Sequence, residues 1–298
     1  MLLFEKFTFM NKANYTRTDA GVNEVKEFFG NSAPDAAIIL GTGLGEAFEI
    51  YFNKKSKRAR FSDFSHLPQL TVDGHKGEIV LAEFGTKKVL VVEGRKHFYE
   101  GATYSEVVRL VQILAKWGIR TFFITNAAGA IDKRYVVGDI VFINDHDPTY
   151  ISHLIDPPTE DPRERFASIE GVYDHELTHR AYEIGVSVLK DSETSCRVSG
   201  RYVAVKGPDF ETKMQIRSYA QNGATLVGMS TIPEVVALAR AKHANKWHNM
   251  RIVAVSIVSN MAAGVTNTEI NHNDVMKTVS SHATDLAKIL YKTIINDK

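Results

Sequence analysis

Apolar residues fall in short, dense runs along the whole chain, separated by polar and glycine-rich stretches. Seven of these runs are rich in β-branched residues: AAIIL at 36, VLVVE at 89, TFFIT at 121, DIVFIN at 139, YVAV at 202, TLVGM at 225 and RIVAVSIV at 251. They are too apolar for burial on one face only and predict the strands of a covered, largely parallel or mixed sheet. Helical spacing fills several of the intervals. TYSEVVRLVQILAKWG opens with a capping-box spacing, Thr103 to Glu106, and ends at Gly118, while PEVVALARAKHANKW begins with a proline suited to a first helical turn. A closing helix is predicted from His272 to about Ile295. Strands alternating with helices, with no linker, repeat or low-complexity stretch, predict a single α/β domain over residues 1–298, a central mixed sheet flanked by helices.

Two stretches break the alternation. NKKSKRAR at 53–60 is basic, and in a chain this neutral it reads as a solvated hairpin or loop face. Residues 144–174, rich in proline and charge, read as a long functional loop, a lid or an interface segment.

Composition narrows the partners. With 298 residues, 44% of them hydrophobic, the chain can bury a sizeable core, and a net charge of +1 gives no electrostatic reason to expect nucleic acid or an anionic membrane. The single cysteine, Cys196, cannot form an internal disulfide and reads as a bystander. Glu5 and Lys6 interrupt the N-terminal apolar residues too early for a signal peptide, and no apolar run reaches the roughly 18 to 20 residues that span a bilayer. A cytoplasmic protein acting on a small ligand is the expectation.

Nearly every predicted strand stops at polar or glycine residues: GTGLG (41), EGRKHFYEG (93), TNAAG (125), KGPDFET (206), GMSTIPE (228) and SNMAAG (259). In open α/β sheets ligands bind beyond the carboxyl ends of the strands, so the six clusters are expected to converge on one pocket. GTGLG after an apolar strand suggests phosphate. A dinucleotide is disfavoured, because Glu46 and Ala47 follow where the third fingerprint glycine belongs, and a basic stretch follows where a ribose-binding acid belongs.

Arg95, His97 and Tyr99 alternate after an apolar strand and share a face if that segment is extended, which makes an anion site with a bidentate guanidinium. TNAAG offers uncluttered backbone N–H groups, and Ser230 and Thr231 sit just ahead of a helix, where anions are favoured. Metal and covalent-nucleophile readings are poor. NDHDP has ligand-like residues, but no His-Glu-x-x-His is recognised, and there are no paired cysteines, no second acidic cluster of matching spacing and no G-x-S-x-G elbow. The bound anion is then itself the nucleophile.

GTGLG, GRKHFYEG, TNAAGAI, GPDFET, GMSTIPEV and SNMAAG, in this order over most of the chain, resemble the trimeric family of purine nucleoside phosphorylases. The resemblance implies the nucleoside phosphorylase fold, phosphorolysis of inosine, guanosine and their deoxy forms to free base and (deoxy)ribose 1-phosphate in purine salvage, no cofactor, and a homotrimer. Phosphate is the co-substrate. The implied phosphate ligands are Thr42, Arg95, His97, the backbone N–H of Ala127, and Ser230. Ribose would lie near Tyr99 and Met229, with His272 at the 5′-hydroxyl and Phe166 reaching a neighbouring subunit's ribose. Tyr202, Phe210, Glu211 and Asn260 would surround the base, and His97, Glu211 and Asn260 carry the catalytic roles.

Glycosidic cleavage builds negative charge on the departing purine, which the amide N–H of Asn260 can meet at N7 or O6. A Glu211 carboxylate would accept from N1–H and from a guanine 2-amino group, so 6-oxopurines are expected over adenine. The related methylthioadenosine phosphorylases carry aspartate at the Asn260 position and lack the glutamate. Thr42 and Ser259 replace a usual serine and threonine with retention of the hydroxyl, and Lys206 and Asp209 leave the fine purine preference open. The rivals are a phosphorylase for xanthosine or methylthioadenosine, a nucleoside hydrolase using water, and a binding module without turnover.

Overall fold

All five residues of β1 (Ala36–Leu40) are buried, and they divide between two cores. Ala37 and Ile39 enter one core, while Ala36, Ile38 and Leu40 enter the other, because successive strand side chains point to opposite faces. Both faces are covered, so no polar alternation marks this strand in the sequence. Full burial of each Val, Leu, Ile or Phe contributes about 1.5–3 kcal/mol.

The chain is described here from a computed structural model over residues 17–53, 55–70, 77–155, 166–267 and 270–297. The other strands are β2 (Lys57–Arg60), β3 (Glu78–Phe84), β4 (Lys87–Glu93), β5 (Thr121–Ala130), β6 (Ile140–Asp147), β7 (Cys196–Ala204), β8 (Leu226–Gly228) and β9 (Arg251–Met261). The helices are α1 (17–29), α2 (Tyr104–Trp117), α3 (His175–Val188), α4 (Lys213–Gln221), α5 (Ile232–Asn245) and α6 (His272–Ile295). Side chains of α1, α2 and α5 join one core, and those of α3 and α6 the other, so helices cover both faces of the sheet. The predicted mixed sheet flanked by helices is what forms.

The nine strands run β2-β3-β4-β1-β5-β8-β7-β6-β9, and β5 pairs with β9 as well. Strands β5, β9, β6, β7 and β8 therefore close into a small barrel, while β1 to β4 extend from it as an open sheet. The closure joins segments far apart in the chain, Gly129 with Val227 and Thr121 with Arg251, which no local pattern records.

Local signals hold where they were strongest. The Thr103 side chain accepts the Glu106 N–H, Glu106 Oε2 accepts the Thr103 N–H at 2.8 Å, and Gly118 ends the helix at φ 129°. Strand β2, from the basic stretch, is a short edge strand on which Arg58 pairs with Glu49 and Glu78, a solvated face as expected. The 144–174 stretch is less of a loop than predicted. It contributes the end of β6 and a short 3-10 turn at Thr149–Ile151, and residues 156–165 lie outside the described ones. Cys196 is buried, and desolvation pushes its thiol up to about 12, so it is an unreactive packing residue.

Candidate active site

The three glycines of GTGLG serve different ends. Gly41 and Thr42 line a cavity of about 310 Å³. At Gly41 a β-carbon would stand 3.0 Å from Asn126 Cα, so glycine lets β1 deliver the turn against β5. Gly43, at φ 79°, faces Ser280 and Met276 of α6, and at Gly45 a β-carbon would lie within 2.1 Å of the buried Glu93 carboxylate. Only the first part of the motif lines the cavity. The rest makes room for a helix and a carboxylate.

Beyond β4 the chain leaves the sheet and brings Arg95, His97 and Tyr99 to the cavity wall, as the alternation predicts. The segment is not extended throughout, since Phe98–Glu100 is a 3-10 turn. The His97 ring stacks on Tyr99 at 4.7 Å, and its Nδ1 lies 3.3 Å from Glu100 Oε1. Burial, assisted by the Arg95 charge, lowers the His97 pKa despite Glu100, so the imidazole is neutral at pH 7. Burial likewise pushes the Tyr99 hydroxyl up to about 12.

Arg95 departs from the expected bidentate fork. Its side chain is 2% exposed; one terminal nitrogen donates to Glu234 Oε2 at 2.9 Å and to Thr231 Oγ1 at 3.4 Å. The other donates to the backbone carbonyls of Thr125 and Ile39. Both terminal nitrogens already have protein acceptors. The guanidinium meets the cavity as half of a buried ion pair, its charge balanced by Glu234.

TNAAG lies wholly inside a strand, Thr125–Gly129 in β5, whereas SNMAAG straddles a strand end, with Ser259–Met261 closing β9 and Gly264 in the turn beyond it, so the site is built partly on a strand interior and not wholly on strand ends. Small residues are needed there because the barrel is tight. A β-carbon on Gly129 would stand 3.2 Å from Asn260 Nδ2 and 3.3 Å from Val227. Along one edge of β5, β1 pairs with residues 122–124 and β8 with 129–130, and among the described residues no strand pairs with 125–128 between them. That gap in the ladder presents backbone around Ala127 to the cavity, the role given to its N–H.

The rest of the wall comes from Pro208, Phe210 and Glu211, from Met229 and Ser230, and from Ser259 and Asn260. Burial raises the Glu211 pKa. The Ser259 hydroxyl donates to Asn260 Oδ1 at 2.8 Å, which fixes the amide so that Nδ2, 3.3 Å from the Met261 carbonyl, is its donor side. His272 lines the mouth at the start of α6, with Val275 one turn on. Sequence reading misses Val275, Asn126 and Ser259 as wall residues. The i, i+3 spacing from His272 is a signal for the first, whereas the other two need the barrel closure.

Two expected residues lie elsewhere. Tyr202 is fully buried and does not line the cavity; its hydroxyl accepts the Ser230 N–H at 3.5 Å from behind β8. It stands behind Ser230, outside the cavity wall. Phe166 is 91% exposed and is not part of this chain's cavity wall.

One motif is missed by sequence reading. His175-Glu176-Leu177-Thr178-His179 spells the His-Glu-x-x-His of zinc enzymes. The two rings stack 6.2 Å apart on the exposed side of α3, and His179 faces Glu183 at 3.6 Å. Among the described residues the one group of three close enough to share a cation is Glu49, Glu78 and Glu93, and Arg58 pairs with the first two.

A sequence model of the phosphorylase superfamily matches residues 35–295. Purine nucleoside phosphorylase 1 of Bacillus subtilis is 34% identical over 246 residues, 82% of this chain and 86% of the relative. The chain belongs to the purine nucleoside phosphorylases of the phosphorylase superfamily. The Bos taurus purine nucleoside phosphorylase is 31% identical over 76% of each chain. Among solved structures, the Schistosoma mansoni phosphorylase in complex with inosine superposes with a TM-score of 0.80 at 25% identity, over 95% of this chain and 97% of that one.

Proposed function

We infer that this phosphorylase cleaves purine nucleosides with phosphate and prefers 6-oxopurines, inosine and guanosine, over adenosine. One observation carries the reading: Thr42, Arg95, His97 and Ser230 line the same cavity as Glu211 and Asn260. Phosphate held by the first set attacks C1′, the glycosidic bond breaks, and its electron pair leaves with the purine, where the Asn260 amide meets it. Glu211 as a carboxylate accepts from N1–H. Adenine offers N1 as an acceptor instead, which leaves the buried carboxylate without a donor.

The reaction needs no cofactor, since phosphate supplies the nucleophile. The homotrimer is proposed from family resemblance, and an exposed Phe166 suits a residue that reaches a neighbour's ribose. No helix among the described residues is long and apolar enough to cross a membrane. A cytoplasmic location is proposed on the sequence grounds already given.

The test is release of free base from inosine, guanosine, adenosine and xanthosine with and without phosphate. Inosine and guanosine should turn over fastest, and only with phosphate. Adenosine outpacing inosine would overturn the preference, and release without phosphate would mark a hydrolase.

Acid pH gives a second check. Because burial raises the Glu211 pKa, the carboxylate needed for N1–H is lost as pH falls through that raised value, above the roughly 4.3 of a free glutamate. The KM for inosine should rise on acidification in that window, and in Glu211→Gln it should be high and nearly flat. A wild-type KM that stays flat down to about pH 4.3 contradicts the carboxylate role.

A further inference from the structure

Thr231 has a backbone that threonine rarely adopts. At φ 72° and ψ −53° it lies outside the left-handed helical well, and the Ile232 N–H bonds back to the Ser230 carbonyl at 2.8 Å, closing a γ-turn around it. Helix capping does not demand this. Two other threonines cap helices in the same chain, Thr103 at φ −74°, ψ 161° and Thr212 at φ −75°, ψ 160°, and both take the ordinary extended form. Among the described residues the only other non-glycine with positive φ is Lys246, at φ 54° and ψ 38°, an unstrained left-handed end to α5.

Strain of this kind persists only where the surroundings over-determine it. Thr231 is fully buried. Its N–H donates to Glu234 Oε2 at 3.1 Å, and its hydroxyl accepts from Asn126 Nδ2 at 2.9 Å and from Arg95 at 3.4 Å. Its hydroxyl is also 3.3 Å from that of Ser230. Asn126 is locked at its other end by the Ser256 hydroxyl, 2.7 Å from Oδ1. Thr231 is not part of the cavity wall, yet Arg95, Asn126 and Ser230 are, and all three hydrogen-bond to it.

We propose that Thr231 is a positioning residue for phosphate, its strained turn and buried hydroxyl holding Arg95, Asn126 and Ser230 in the arrangement that receives the ion. The turn bends the chain at Ser230 so that its hydroxyl faces the cavity, and the Thr231 hydroxyl ties three wall residues to one point. Among the described residues no hydrogen bond joins Thr231, Arg95, Asn126 or Ser230 to Glu211 or Asn260, so loss of the Thr231 hydroxyl falls on phosphate and spares the base. The proposal rests on the phosphorolysis reading.

Steady-state kinetics with inosine and phosphate varied separately test it. Thr231→Val keeps the shape and removes the hydroxyl. It should raise the KM for phosphate at least about 10-fold, with kcat at saturating phosphate within about 3-fold and the inosine KM within about 2-fold. Thr231→Ser should stay within about 3-fold of wild type in every constant. If the valine variant does not fold, Thr231→Gly, which tolerates φ 72° and also lacks the hydroxyl, carries the same expectation. An unchanged phosphate KM in the hydroxyl-free variant, equal losses for both substrates, or failure of serine to rescue would overturn the proposal while the wild type remains active. A wild type that does not use phosphate would overturn the functional reading and this inference together.

Discussion

Asn260→Ala should lower kcat for inosine by about 100- to 1,000-fold, equivalent to about 2.7–4 kcal/mol of lost leaving-group stabilisation. Removal of one preorganised donor has that effect when the donor meets charge that exists only in the transition state. The Asn260 amide is held ready by the Ser259 hydroxyl at 2.8 Å, and its backbone sits in β9 opposite Gly129 of β5. It reorganises little as charge develops. Thr42→Ala should cost less than about 10-fold, because in the proposed function Thr42 is one of several donors to an ion that carries its charge already in the ground state. Its loss should appear mainly in the KM for phosphate. Steady-state kinetics on the two variants decide the point, and similar small losses in kcat would refute the leaving-group role.

Loss of the Arg95 side chain should damage both stability and activity. Arg95→Ala leaves the Glu234 carboxylate, 2% exposed, without its partner, and removes the donors to the Thr125 and Ile39 carbonyls. Breaking a buried pair from one side costs about 3–5 kcal/mol, which for a chain of this size lowers Tm on the order of 10 °C. Phosphate-dependent turnover should fall below detection in the same variant. The double change Arg95→Met with Glu234→Met separates the effects. An apolar pair of similar volume avoids the stranded charge, so Tm should recover most of the loss while activity does not return. Thermal melts beside the phosphorolysis assay provide the check. An alanine variant that melts within about 2 °C of wild type would show that the pair is not what holds this corner of the core.

Much of the fold is legible in local chemistry. The β-branched runs fall in strands, the Thr103–Glu106 capping box starts α2, and His272 opens α6 as predicted. Strand β3, whose polar Glu78 and Glu83 interrupt its apolar residues, gives a weaker signal, and α1, α3 and α4 are not predicted at all. The strand limits fail most clearly at TNAAG, which lies wholly inside β5. Alanine and glycine have low strand propensity, so their presence reads as a turn. Here they stand in a strand because β5, β8 and β9 come too close for larger side chains.

Sequence alone determines which groups are available to the site: hydroxyls, one guanidinium, an imidazole, a carboxylate and an amide, each beside an apolar run that carries it to the sheet. Propensity, capping and burial on two faces act over a few residues, so they can be read from a few residues. Tertiary structure decides what each group faces. Closure of the barrel sets Asn260 against Gly129, turns Tyr202 into support behind Ser230, and gives Arg95 a carboxylate partner 139 positions along the chain. It also divides GTGLG, leaving Gly41 and Thr42 to the cavity wall while Gly43 and Gly45 admit α6 and Glu93. The physical reason is that hydrogen bonding and desolvation depend on the atoms that surround a group, and here those atoms arrive from distant segments.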